Sequence, residues 1–306
     1  MRRHRSWILG LLLTTPVTLV LIDQACWQGS GSPPPHQKVS SLFAPTRPVM
    51  PGTVGVIVGA AISPAKNHGR YWNNTSLMLS ALKATGFERL IVLQSDGAWP
   101  GPDRQQRSFL GLVGTGHLLD SSRDFDADGR DDVHGPATVD ALATTLREVG
   151  RSLRPGDRLL LFFTGHGQLR IGGGLHSVAM MWEGGELRGT QLDGLLRASI
   201  PDSCWVAIVA TQCHSKMFLD EVTRPRTLLI ASGAPLWIWS TQDYGVFPYH
   251  LAGALLGRDP ATGRILPEGM SPTLREATRA ARARDHTPEW PRYWVIGNEA
   301  ALPAPF

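Results

Sequence analysis

Arg158-Leu159-Leu160-Leu161-Phe162-Phe163-Thr164-Gly165-His166-Gly167 is an unbroken apolar run that stops at a histidine held between two glycines. Runs of this length with no polar alternation mark strands buried on both faces, as in a parallel sheet covered by helices. A second run, Cys204 to Thr211, ends in Gln212-Cys213-His214-Ser215. In an open parallel sheet the carboxyl ends of the strands face the ligand crevice, so two neighbouring strands of this kind bring an imidazole and a thiol together.

The rest of the chain agrees with that sheet. Short β-type runs alternate with helical patterns, which predicts parallel βαβ units, an α/β fold with helices on both faces of the sheet. Strands are expected at Val54 to Val58, Leu90 to Leu93, Thr227 to Ala231 and Tyr293 to Ile296. Helices are expected at Asn73 to Ala84, opening on Asn and Thr caps, and at Pro136 to Arg151, Gln191 to Ala198, Val246 to Leu256 and Leu274 to Ala283. Between Asp96 and about Gly135 lies a long loop rich in Gly, Asp and Arg, a length that usually signals function or mobility.

With 306 residues, 42% of them hydrophobic and 18% charged, the chain can bury one substantial core. The net charge of +4 gathers at Arg2, Arg3 and Arg5 and at Arg275, Arg279, Arg282 and Arg284, clusters that read as solvated faces and not as a nucleic-acid surface. Three cysteines, Cys26, Cys204 and Cys213, make neither a disulfide framework nor a Cys-x-x-Cys zinc site. His68, His117 and His134 fall in separate loops without ligand spacing, which argues against a metal-dependent hydrolase.

Residues 1–25 combine a basic start with an apolar stretch from Trp7 to Ile22, the pattern of an export signal or of an uncleaved N-terminal membrane anchor. Export to the periplasm or the exterior is the expected localisation. Ala25-Cys26 is a weak lipoprotein processing signal, because Asp23 stands where an apolar residue is wanted. Residues 26–51, with Pro33-Pro34-Pro35, read as a Pro/Gly/Ser-rich linker, and residues 52–300 as one folded domain.

A cysteine attacks a carbonyl as thiolate, and an imidazole near its ordinary pKa can both assist that ionisation and protonate the leaving amine. Cys213 and His166 are therefore the candidate nucleophile and general acid/base. Gly165 and Gly167 leave room for close backbone approach, and the amides of Gly167 and Cys213 are candidates for holding an oxyanion. Cys204, at the opposite end of the same strand, reads as packing, and His214 is directed away from its neighbour by the alternation of an extended segment.

These two motifs resemble the histidine and cysteine strands of the caspase-haemoglobinase clan of cysteine peptidases, and most of all its legumain-like, asparaginyl endopeptidase-like branch. The similarity runs from Val54 to about Ala283, with Gly245-Val246-Phe247, Leu251 and Leu255 similar to the segment after the substrate-binding strand. Asn67-His68-Gly69-Arg70-Tyr71-Trp72-Asn73-Asn74 resembles the first βα loop of that branch. The resemblance implies a three-layer αβα sandwich of caspase type with a mostly parallel central sheet, and endopeptidase activity on protein or peptide substrates. It also implies a substrate-pocket role for Arg70, a position near the supporting asparagine for Asn67 or His68, and a place for Ser232 on the substrate side.

Asp243 is the candidate counter-charge to Arg70: a lone arginine favours an acidic side chain, a balanced one an amide. Lys216 departs from the family's glycine after cysteine-x-serine and would narrow the cleft or favour an acidic substrate. Asp124, Asp126 and Asp128 alternate before Gly129, with Asp132 as a fourth carboxylate, as at the opening of a calcium loop, yet Gly135 stands where the bidentate glutamate belongs. That segment fits either a calcium site or an acidic solvated turn, and the dyad chemistry itself requires no cofactor. A transamidase using the same dyad and a caspase-fold binding module are the alternatives to the peptidase.

Overall fold

The computed structural model describes residues 47–105, 118–172, 174–233, 244–271, 273–287, 289–299 and 302–303. The expected export segment, most of the expected linker, His117 and Asp243 lie outside the described residues.

In chain order the elements are β1 (Met50–Ala60), α1 (Gly69–Ala84), β2 (Phe87–Gln94), β3 (Arg104–Gln105), β4 (Leu118–Leu119), β5 (Val133–Gly135) and α2 (Val139–Ser152). They continue with β6 (Arg158–Gly165), β7 (Gly167–Arg170), β8 (His176–Met180), β9 (Glu186–Arg188), α3 (Gly189–Ser199) and β10 (Trp205–Ala210). The last are α4 (Ser215–Asp220), β11 (Thr227–Ala231), α5 (Val246–Leu256), α6 (Leu274–Arg284) and β12 (Arg292–Ile296).

Seven strands form the central sheet in the order β12-β11-β10-β6-β1-β2-β5. All pair in parallel except β12, which runs antiparallel to β11 and closes that edge. Side chains alternate along β6. Leu159, Leu161 and Phe163 join α2, α3 and α4 in one core, and Leu160 and Phe162 join α1, α5 and α6 in the other. Helices thus cover both faces of the sheet, giving the three-layer αβα sandwich. A separate sheet, β7-β8-β9, grows out of the end of β6.

Two boundaries differ from expectation for physical reasons. The first strand begins at Met50 because its amide reaches the Gly86 carbonyl at 2.7 Å, and the ladder with β2 then shifts register before Val54. The first helix begins at Gly69, with His68 as N-cap, so Asn73, Asn74 and Thr75 are not caps but buried residues within it. There Asn74 donates to Thr164 Oγ1 at 3.0 Å and accepts from the Gly245 amide at 3.1 Å, and Thr75 donates to Gln94 Oε1 at 2.9 Å. These bonds fasten α1 to the ends of β6 and β2 and to the start of α5. At α2 the cap is Thr138, whose hydroxyl accepts from the Ala141 amide, two residues beyond Pro136.

The described parts of the long loop are tied to α1. Phe125 is buried against Trp72, Trp72 Nε1 donates to the Ser122 carbonyl at 2.7 Å, and Ser76 donates to the Phe125 carbonyl at 2.6 Å. Lys83 bridges Asp126 and Asp132.

Candidate active site

Pairing between β6 and β10 runs from Trp205 opposite Arg158 to Ala210 opposite Phe163, and the Thr211 amide donates to the Phe163 carbonyl at 2.9 Å. Past that ladder each strand runs into a turn, and His166 and Cys213 stand in these two neighbouring turns. The glycines around the histidine make that approach possible. Gly165 has a φ of +149°, and a Cβ there would meet the Ala60 carbonyl oxygen at 2.0 Å. A Cβ on Gly167 would lie 1.9 Å from the Cys213 carbonyl oxygen, so the histidine turn rests directly on the cysteine backbone.

Cys213 sits where β10 turns into the short α4. His214 takes the left-handed conformation, with φ of 59°, which is uncommon for a side-chain-bearing residue and makes the turn abrupt. Ser215 then starts the helix, and its hydroxyl accepts from the Gly233 amide at 3.1 Å, joining the cysteine turn to the end of β11. Cys213 is partly exposed, whereas Cys204 is buried, donates to the Arg154 carbonyl, and has its thiol pushed up by that burial. Of these two, Cys213 alone has the access that thiol chemistry needs.

Lys216 does not project freely at the turn. Its ammonium bonds both carboxylate oxygens of Asp220 one helical turn on, at 2.8 and 2.6 Å, and lies 5.5 Å from the Trp294 ring centroid. Its charge is thereby directed along α4 and toward β12.

The segment between β1 and α1 surrounds His166. Pro64–Lys66 forms a single 3₁₀ turn, and the Lys66 carbonyl accepts from His166 Nε2 at 2.9 Å. On the other side of the ring, His166 Nδ1 lies 3.2 Å from the Tyr71 hydroxyl. Tyr71 in turn accepts from Arg70 Nη2 at 3.2 Å, and the guanidinium carbon sits 4.9 Å from the Tyr71 ring centroid. His68 closes the group, its ring 5.3 Å from that of His166 and 5.6 Å from that of Tyr71. Burial, followed by the charge of Arg70, drives the His68 pKa down to about 2, so it is a neutral ring at any ordinary pH.

The structure distributes the other candidates unevenly. Arg70 is buried in the first turn of α1, beside His166 through Tyr71. Asn67 turns its carboxamide away, donating to Ser95 Oγ and to the Asp103 carbonyl, both at 2.8 Å; it pins the long loop rather than the histidine. Ser232 follows β11 with its amide on the Ala210 carbonyl at 3.0 Å, and its buried hydroxyl has no hydrogen-bond partner among the described residues. The buried Gln212 carboxamide, beside Cys213, is likewise unpartnered among them.

In the long loop, Asp124, Asp126 and Asp128 bring carboxylate oxygens within 4.8 Å of one another. Asp132, expected as a fourth ligand, instead bonds Lys83 and accepts from the Phe125 amide at 2.8 Å. Asp124 accepts from the Gly129 amide at 2.9 Å and Asp126 pairs with Lys83, so the acidic turn satisfies much of its charge internally.

Sequence reasoning missed Tyr71 and the Lys66 carbonyl. The one available signal for Tyr71 was its place next to Arg70; a backbone carbonyl carries none.

No protein-family description matches this chain, and no curated protein matches it. Among solved structures, it is similar to protein GSU0716 from Geobacter sulfurreducens, with a TM-score of 0.53 and 13% identity over 82% of this chain and 96% of that one. A likeness at that identity speaks to the fold: a mixed α/β sandwich around a mostly parallel seven-stranded sheet.

Proposed function

We propose that this protein is a cysteine endopeptidase in which Cys213 is the nucleophile and His166 the general acid/base. The observation that carries the reading is that β6 and β10 are parallel neighbours whose following turns touch, with Gly167 packed on the Cys213 carbonyl. The thiol proton passes to the imidazole, and the thiolate adds to the scissile carbonyl. As the C–N bond breaks, the imidazolium protonates the leaving amine. Water then hydrolyses the thioester with the imidazole as base, restoring thiol and imidazole. No cofactor enters these steps.

The legumain-like likeness of the two motifs belongs to the same proposal, and with it a pocket in which Arg70 meets an acidic or amide side chain. Export through residues 1–25 also belongs to it, as does proteolysis as the biological role. Lys216 held by Asp220 favours the enzyme over a catalytically impaired binding module, because the cation is engaged along its own helix. A transamidase would use the same steps, with an amine in place of water.

The test is turnover of a fluorogenic peptide library by the wild type beside Cys213→Ala and His166→Ala. Cleavage by the wild type alone supports the reading, and preference for Asn over Asp implies that Asp243 balances Arg70. Folded wild type that neither cleaves any member nor labels at Cys213 with a peptidyl electrophile overturns it.

A further inference from the structure

Two hydrogen bonds at His166 fix more than its position. A backbone carbonyl can only accept, so the 2.9 Å bond to Lys66 requires a proton on Nε2. A guanidinium can only donate, so the Tyr71 oxygen accepts from Arg70. The Tyr71 hydroxyl proton is then available to the remaining lone pair of a neutral imidazole, at Nδ1. The alternative, an imidazolium with Nδ1–H on Tyr71, would direct two cationic donors at one buried oxygen.

We propose that Tyr71 is a positioning residue that holds His166 as the Nε2-protonated neutral imidazole and links it to Arg70. The Tyr71 ring has little freedom to move: it is buried with Ala61 and Trp182, and it meets His166 edge-on at a centroid distance of 5.1 Å. The Trp182 amide donates to the Ala137 carbonyl, and the Gly184 amide to the Ile62 carbonyl, so the wall behind Tyr71 is itself fixed by backbone bonds. Groups that face His166 include Lys66, His68, Arg70 and Tyr71 from the β1–α1 segment, and the adjoining Gly167 rests on the Cys213 backbone. Nδ1 is the nitrogen left with a lone pair, so as it takes the thiol proton the Tyr71 hydroxyl must turn from donor to acceptor; the imidazolium so formed is the costly state with two cationic donors on one oxygen, and it lasts only until the leaving amine takes the proton. That kinetic consequence rests on the peptidase reading; the bonding does not.

The experiment is ¹⁵N spectroscopy of the histidine rings in the full chain, assigned with His166→Ala, for wild type, Tyr71→Phe and Arg70→Gln. The expected wild-type signature is a protonated Nε2 and an unprotonated, hydrogen-bonded Nδ1. In Tyr71→Phe, Nε2 stays protonated while the Nδ1 resonance moves to that of a lone pair with no donor, and in Arg70→Gln it moves part of the way. A wild-type Nδ1 that carries the proton at neutral pH, or one unmoved in folded Tyr71→Phe, overturns the proposal. Should Tyr71→Phe not fold, the wild-type and Arg70→Gln spectra decide it. Where peptides are cleaved, kcat of Tyr71→Phe falls on the order of 10-fold at nearly constant KM. Because the spectra need no turnover, an inactive protein would sink the peptidase reading while leaving this one to be judged by itself.

Discussion

At Gly167 one missing methyl group decides whether two motifs meet. An alanine there would put its Cβ against the backbone carbonyl of Cys213, which no side-chain rotation relieves. We expect Gly167→Ala to cost about 1–3 kcal/mol of stability and at least ~100-fold in Cys213 alkylation or peptide turnover, read by thermal melts and iodoacetamide kinetics. His68 makes a pH prediction. Its folded pKa lies far below the unfolded value of 6.5, so below about pH 6.5 the unfolded chain takes a proton that the folded one refuses. Stability contributed by the neutral ring is complete above that pH and falls as pH drops, by at most about 1.4 kcal/mol per unit. Melting temperature followed from pH 7 to pH 4 should decline less steeply in His68→Asn than in wild type; equal slopes would refute the assignment. Sequence reading singled out His166, Cys213 and Arg70 as candidates because each stands in a recognisable string. It missed Tyr71 because the Tyr71–His166 contact joins residues 95 positions apart and exists only once β1 and β6 have paired.

Among the elements, the buried strands were legible because an apolar run with no polar face has few other places to go. The start of α1 was not, since Asn73 and Asn74 have the chemistry of caps and only the fold reveals that Asn74 bonds sideways, to Thr164 and Gly245. Asn74→Leu leaves those two partners without it, and the expected loss is about 1–3 kcal/mol in urea unfolding. The β7-β8-β9 sheet was overlooked as well. Its strands are short, and the glycines between β7 and β8 break the pattern that signals a strand. On α4, Lys216→Gly removes the side chain expected to narrow the cleft. With the ammonium already engaged by Asp220, that change should alter turnover by less than about 3-fold, and a large gain would mean that the cation does obstruct the cleft.

For the molecule as a whole, β6 and β10 lie inside the sheet with a hydrogen-bonded strand on either side of each. Their amides should exchange with solvent only on global unfolding, while those of residues 118–132 exchange through local opening, a contrast that hydrogen exchange can measure directly. The direction of the sheet has a consequence of another kind. The chain enters at Met50, at the amino end of β1, and the histidine and cysteine turns sit at the carboxyl ends of strands parallel to it. Eleven residues of β1 span roughly 35 Å. The two turns therefore open a full strand length away from the point where β1 begins, so whatever docks at that amino end leaves them uncovered.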